Sequence, residues 1–289
     1  MKLTDSTAAE VGTSDVKAIL SSTTSFRQFM CYMAITLSQA ISGTVGVIKN
    51  GIGGLTFSGA CTYTGPTQIN GGQIAISGTV ASTLNGVISG TGYLTKTGSG
   101  TLTLGGNNTY SGGTVFAPSS GTATITFTSG NAFGTGLFTA QGNCQIITGG
   151  NVTLPNNFQI NTGTTLQYRT ALGNTITITG NIAGAGGINK TGNGPLNLTA
   201  STLTYTGSTS RTSGSIVASK TTGASTATAT WGTTLSVSFN VAPPSGITTF
   251  RFFQGSFNLS YGAVTLVGVP VGTTATWTAA TSTLTVTVP

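Results

Sequence analysis

The sequence predicts an all-β protein: a parallel β-solenoid preceded by a short amphipathic helix and closed by a β-rich C-terminal segment. Three observations carry this. Short runs of alternating apolar and polar residues are punctuated by glycine, which occupies 44 of 289 positions. A strand-and-turn motif recurs along the chain. Charged residues are only 4%, so hydroxyls, amides and backbone must cover the surface, while 37% apolar residues suffice for a core.

Residues 1–44 form the N-terminal attachment or capping segment. Within it Phe26, Phe29, Met30, Met33, Leu37 and Ile41 recur at three- and four-residue steps. That spacing predicts a helix over 25–41, with Ser25 as N-cap and Gly43 as stop. The helix is expected to cover the end of a β stack. Phe26, Phe29, Met30, Met33 and Leu37 are the candidate attachment and oligomerisation face.

Residues 45–220 read as the solenoid. One copy of the motif places Ile41-Ser42-Gly43 before Lys49-Asn50-Gly51 and ends at Tyr63-Thr64-Gly65. A second runs from Ile88-Ser89-Gly90 through Lys96-Thr97-Gly98 to Tyr110-Ser111-Gly112, and a third from Ile182-Ala183-Gly184 through Lys190-Thr191-Gly192 to Tyr205-Thr206-Gly207. The lysines are separated by 47 and 94 residues. One coil of three short strands needs roughly 20–25 residues, so the period reads as about two coils. Leu102 and Leu104 alternate with Thr101 and Thr103, giving one apolar face. Gly98 and Gly100 are expected to permit a turn with positive φ, and Gly112-Gly113 the next. Tyr63, Tyr110 and Tyr205 are expected to cover an apolar edge with their hydroxyls in water. Lys49, Lys96 and Lys190 are expected to project outward with their stems along the surface. All of these are read as structural.

Residues 221–289 change texture and read as a C-terminal β cap or small β domain. Leu235, Val237, Phe239 and Val241 alternate with polar residues, as do Leu284, Val286 and Val288. Trp231 and Trp277 are expected to anchor its core.

Charge bounds the chemistry. The acids are Asp5, Glu10 and Asp15; from Val16 to Pro289 there is no carboxylate side chain, and histidine is absent. General acid–base catalysis, glycoside hydrolysis and calcium or zinc binding draw on these side chains. No enzymatic activity, catalytic residue, metal or cofactor is therefore expected. A pairing of Lys96 with Ser99 is weighed and read as a lysine beside a turn serine. Cys31, Cys61 and Cys144 lack metal spacing and read as buried thiols. The net charge of +7 is spread over single cations, which argues against nucleic acid. No eighteen-residue apolar run predicts a membrane span. Phe29 to Leu37 fits a secretory signal poorly, so no cleavable signal is expected.

The segment from Leu94 through Lys96-Thr97-Gly98-Ser99-Gly100-Thr101-Leu102-Thr103-Leu104 to Thr114 closely resembles the autotransporter-associated β-strand repeat. The stretch Phe250–Val288, with Val264-Thr265-Leu266, Pro270 and Thr276-Trp277-Thr278, looks like the segment that closes such arrays. The resemblance implies a right-handed parallel β-helix in an extracellular or particle-surface setting. With no signal expected, and no membrane barrel after Pro289, the leading expectation is a structural protein of a phage virion surface, such as a fibre, spike or decoration protein. It is expected to be a homo-oligomer, with a trimer favoured. Residues 1–41 would join other structural proteins, and a glycan receptor is open. The alternative is a secreted bacterial surface, adhesin or fibre subunit; a β-helical carbohydrate-active enzyme ranks last.

Overall fold

The structure, a computed structural model, describes residues 9–11, 18–23, 26–31, 33–119, 121–200, 202–253, 256–261 and 263–289. Among these every regular element is a strand, apart from one 3-10 turn at Ala279–Thr281. The fold is a parallel β-solenoid that gives way to antiparallel strands at its C-terminal end. The chain divides into two compact units, Met1–Ile147 with Pro155–Asn157, and Thr148–Leu154 with Phe158–Pro289.

In the first unit three walls of short parallel strands wrap around a core. One wall stacks Phe26–Met30, Gly46–Asn50, Thr67–Ile69 and Ile88–Ser89. The next stacks Ile35–Leu37, Gly54–Phe57, Gln73–Ile76, Tyr93–Lys96, Thr114–Phe116 and Phe138–Ala140. The third stacks Ser82–Leu84, Leu102–Leu104 and Ala123–Phe127. Leu55, Ile74, Leu94, Thr114 and Phe138 lie side by side on successive rungs. One turn therefore takes between 19 residues (Leu55 to Ile74) and 24 (Thr114 to Phe138). The alternation of period two sends Leu102 and Leu104 inward, both fully buried, while Thr103 faces out. Each such side chain contributes roughly 1.5–3 kcal/mol by leaving water.

In the second unit the stacks are Phe158–Ile160 on Ile182–Gly184; Thr165–Thr170, Gly187–Thr191 and Thr209–Arg211; and Val152–Leu154, Ile176–Ile178, Pro195–Leu198 and Ser215–Thr222. Gly223, with φ +60°, then reverses the chain. Ser225–Trp231 and Leu235–Phe239 continue that last wall as antiparallel strands. Gly246–Arg251, Thr283–Val288 and Thr274–Thr278 make a separate antiparallel sheet. Trp231 is fully buried, and its ring lies 5.0–5.5 Å from those of Phe252, Phe253, Phe257 and Trp277. The two tryptophans thus share one aromatic cluster, as expected from sequence.

Two expectations are corrected and one is refined. Among the described residues of 25–41 no helix forms. Phe26–Met30 is a strand parallel to Gly46–Asn50, and Ile35–Leu37 one parallel to Gly54–Phe57. The same apolar residues fit two short strands, and the adjacent rung of each wall supplies hydrogen-bond partners that outweigh helical spacing. Ser25 lies outside the described residues. The 47-residue period is about two coils, as expected, but it also shifts the motif from one wall to the next. Lys49 pairs with Ile69 and Gln68 pairs with Ser89 on the first wall, whereas Lys96 lies beyond Ser89 on the next wall. The period is two turns plus one wall, so the motif marks a corner and not a stack. Finally, Gly98 and Gly100 do not take positive φ. They are small because the neighbouring rung passes close: a Cβ on Gly98 would sit 2.2 Å from the Gly78 carbonyl oxygen. Gly113, at φ +93°, does make the turn expected of it.

Candidate functional site

The recurrent polar residues of the motif, read from the sequence as structural, are turned inward. Lys49, Lys96 and Lys190 are at most 1% exposed, which corrects the expectation that they project outward. Each is the last or next-to-last residue of its strand, at a corner where the backbone swings to the next wall. Lys49 Nζ donates to the carbonyls of Asn50 (3.0 Å), Gly51 (2.7 Å) and Gly71 (2.8 Å). Lys96 Nζ donates to the Gly98 carbonyl. Lys190 Nζ donates to the carbonyls of Thr191 and Gly192, the latter at 2.7 Å. Burial pushes the Lys96 amine down to about 8. Burial, with the nearby Arg211 charge second, holds Lys190 at about 8 as well. Burial also lowers Lys49, opposed by Cys31. Ser99 is exposed, whereas the Lys96 side chain is buried and turned to the Gly98 carbonyl.

The tyrosines are corrected in the same way. Tyr63, Tyr110 and Tyr205 are at most 1% exposed. Their hydroxyls bond Thr67 (2.7 Å), Thr114 (2.5 Å) and Thr209 (2.6 Å), each four residues on. Thr114 Oγ1 also donates to the Phe133 carbonyl, so Tyr110 is the donor to Thr114. Burial, partly offset by these bonds, raises the hydroxyls of Tyr110 and Tyr205 well above the usual tyrosine value. Every copy of the motif thus contains a Tyr-x-x-x-Thr clasp. That spacing was visible in the sequence as Tyr63/Thr67, Tyr110/Thr114 and Tyr205/Thr209.

Sequence reasoning also passed over two buried asparagines. Asn108 accepts from the Ile88 N–H (2.8 Å) and donates to the Ala132 carbonyl (2.7 Å), which joins three rungs. Asn156 donates to the carbonyls of Gly134 and Gly136. Asn108 follows Gly105-Gly106-Asn107 and Asn156 follows Pro155, so both read as loop residues and nothing local distinguished them. Cys31, Cys61 and Cys144 are free and buried, and burial pushes the Cys61 thiol up to about 12.

The attachment residues fare differently. Phe26, Phe29 and Met30 lie in the strand Phe26–Met30; their side chains are outside what is described. Met33 is exposed at 54% and Leu37 is half-buried. They share no helical face, and no partner surface follows from their placement. No cluster of three or more His, Cys, Asp or Glu that could hold a metal occurs among the described residues. No helix among them is long and apolar enough to cross a membrane.

A family model described as passenger-associated-transport-repeat matches residues 47–76 and 94–117. Both stretches are similar to that repeat. They begin within the strands Gly46–Asn50 and Tyr93–Lys96 that carry Lys49 and Lys96, and each spans one turn and a little more. The match falls on the first two copies of the motif and supports the resemblance read from the sequence. No curated protein and no solved structure matches the chain.

Proposed function

We propose that this chain is a non-catalytic structural protein of a surface, a passenger-type β-solenoid displayed outside the cell that makes it. One observation carries the reading: the residues that recur with the motif are spent on the wall itself. The lysines satisfy corner carbonyls and the tyrosines clasp threonines. What repeats is therefore scaffold, and the similarity to a passenger-type repeat supports a surface setting. A non-enzymatic role agrees with a body free of carboxylates and histidine.

Placement on a phage virion, with the chain as a trimeric fibre or decoration protein joined through residues 1–41, is the narrower form of the same reading. The similarity to a passenger repeat weighs toward the exported, cell-surface form. Fractionation of the producing cells, followed with an antibody to the solenoid, tests the proposal. Recovery at the cell surface or in the medium is expected. Co-purification with virions would move the scaffold to a particle, and confinement to the cytosol would overturn surface display.

A further inference from the structure

The Lys190 corner differs from the other two because a second cation stands beside the lysine. Lys190 and Arg211 are directly paired on adjacent parallel strands, so they lie on the same side of the wall about 4.8 Å apart along the stack. Both reach Gly214. Lys190 Nζ is 2.9 Å from the place a Cβ would occupy there, and Arg211 Nη1 donates to the Gly214 carbonyl at 3.0 Å. Arg211 also hydrogen-bonds the Tyr261 hydroxyl, which donates to the Gly232 carbonyl at 3.0 Å. By contrast, the residues flanking Lys96 on its wall are Ile76 and Phe116.

Unsatisfied groups collect at this corner. Arg211 Nε is buried with no hydrogen-bond partner among the described residues. The same holds for the hydroxyl of Thr170, whose Cγ2 lies 3.0 Å from where a Cβ on Gly194 would sit. Buried polar groups without partners mark a place where a water or an ion belongs. Two adjacent cations favour an ion, and a negative one. No carboxylate side chain exists from Val16 to Pro289 to supply the charge. A guanidinium edge with a free N–H suits an oxyanion, and hydroxyls supply further donors. Arg211 as a whole is half-buried, and exposed Asn258 accepts from its backbone N–H at 3.0 Å.

We infer that the Lys190–Arg211 corner is an anion site that takes a compact oxyanion, a sulfate or carboxylate group, from outside the chain. The group is either a free anion or one carried on an acidic glycan. Calorimetry on the full chain, with sodium sulfate titrated against sodium chloride at matched ionic strength, tests it. Saturable binding of one sulfate per chain is expected. Arg211→Gln should weaken it about tenfold or more, the loss of a hydrogen bond to a charged group. Arg211→Lys should fall between, and Lys220→Gln, which alters an exposed lysine on the next wall, should leave it unchanged. A sulfated tetrasaccharide that binds more tightly than sulfate assigns the site to a glycan; weaker binding assigns it to the free anion. Absence of saturable binding by both probes overturns the site. So does unchanged binding by Arg211→Gln with a native circular dichroism spectrum, since the corner would then hold only water.

Discussion

At the scale of the residue, a buried lysine is tolerated only where carbonyls receive its ammonium. Lys49 serves three carbonyls and Lys96 one. Lys49→Met should therefore destabilise by about 1–3 kcal/mol, the cost of leaving acceptors unpaired, and Lys96→Met by less. Urea denaturation with an unchanged slope checks the ranking. The amines add a pH dependence. Lys96 titrates at about 8 in the folded chain and at its ordinary 10.5 when unfolded. Between those values the unfolded chain holds the extra proton, so stability gains with rising pH. The cost of burying the charge is fully present below about pH 8. The wild type should accordingly gain on Lys96→Met as pH rises from 8 toward 10.5, and parallel curves would refute this. The positions of these lysines were plain from the sequence, because identical neighbours recur around them. Their direction was not. A lysine beside Gly-rich turns reads as solvated unless one knows that the turn leaves carbonyls facing inward, and that depends on the neighbouring rung.

At the scale of the element, the glycines of the corners answer to the backbone of the next rung. Gly98→Ala would place its Cβ 2.2 Å from the Gly78 carbonyl oxygen and force the two rungs apart. Overpacking of this kind costs about 1–3 kcal/mol. Gly149→Ala meets nothing within 4 Å and has no positive φ, so it should be neutral or stabilise by about 0.4–1 kcal/mol. Thermal melting of the two variants separates them. Strand identity in the solenoid was legible wherever alternation was clean, as at Leu102–Leu104 and Leu235–Phe239. It failed over residues 26–37, where apolar spacing serves a helix and two strands alike and only pairing with Gly46–Asn50 and Gly54–Phe57 decides. The Arg211 corner was illegible for a related reason. Lys190 and Arg211 are 21 residues apart, and nothing short of the register brings them together.

At the scale of the whole molecule, the charge distribution removes the usual route to acid unfolding. Acid denatures most proteins by protonating carboxylates that are paired when folded, and by charging buried histidines. From Val16 to Pro289 this chain has neither side chain. Its denaturation midpoint should be the same at about pH 3 as at about pH 7, and a cooperative acid transition measured by circular dichroism would contradict this. The inward lysines have a further consequence, for digestion. A trypsin-like protease must draw a basic side chain out of its surroundings into an acidic pocket. At Lys49, Lys96 and Lys190 that side chain is locked beneath the wall, and after Asp15 an acid-directed protease finds no target. At those three positions the bonds that hold the corners closed also hide the chain from enzymes that would cut it.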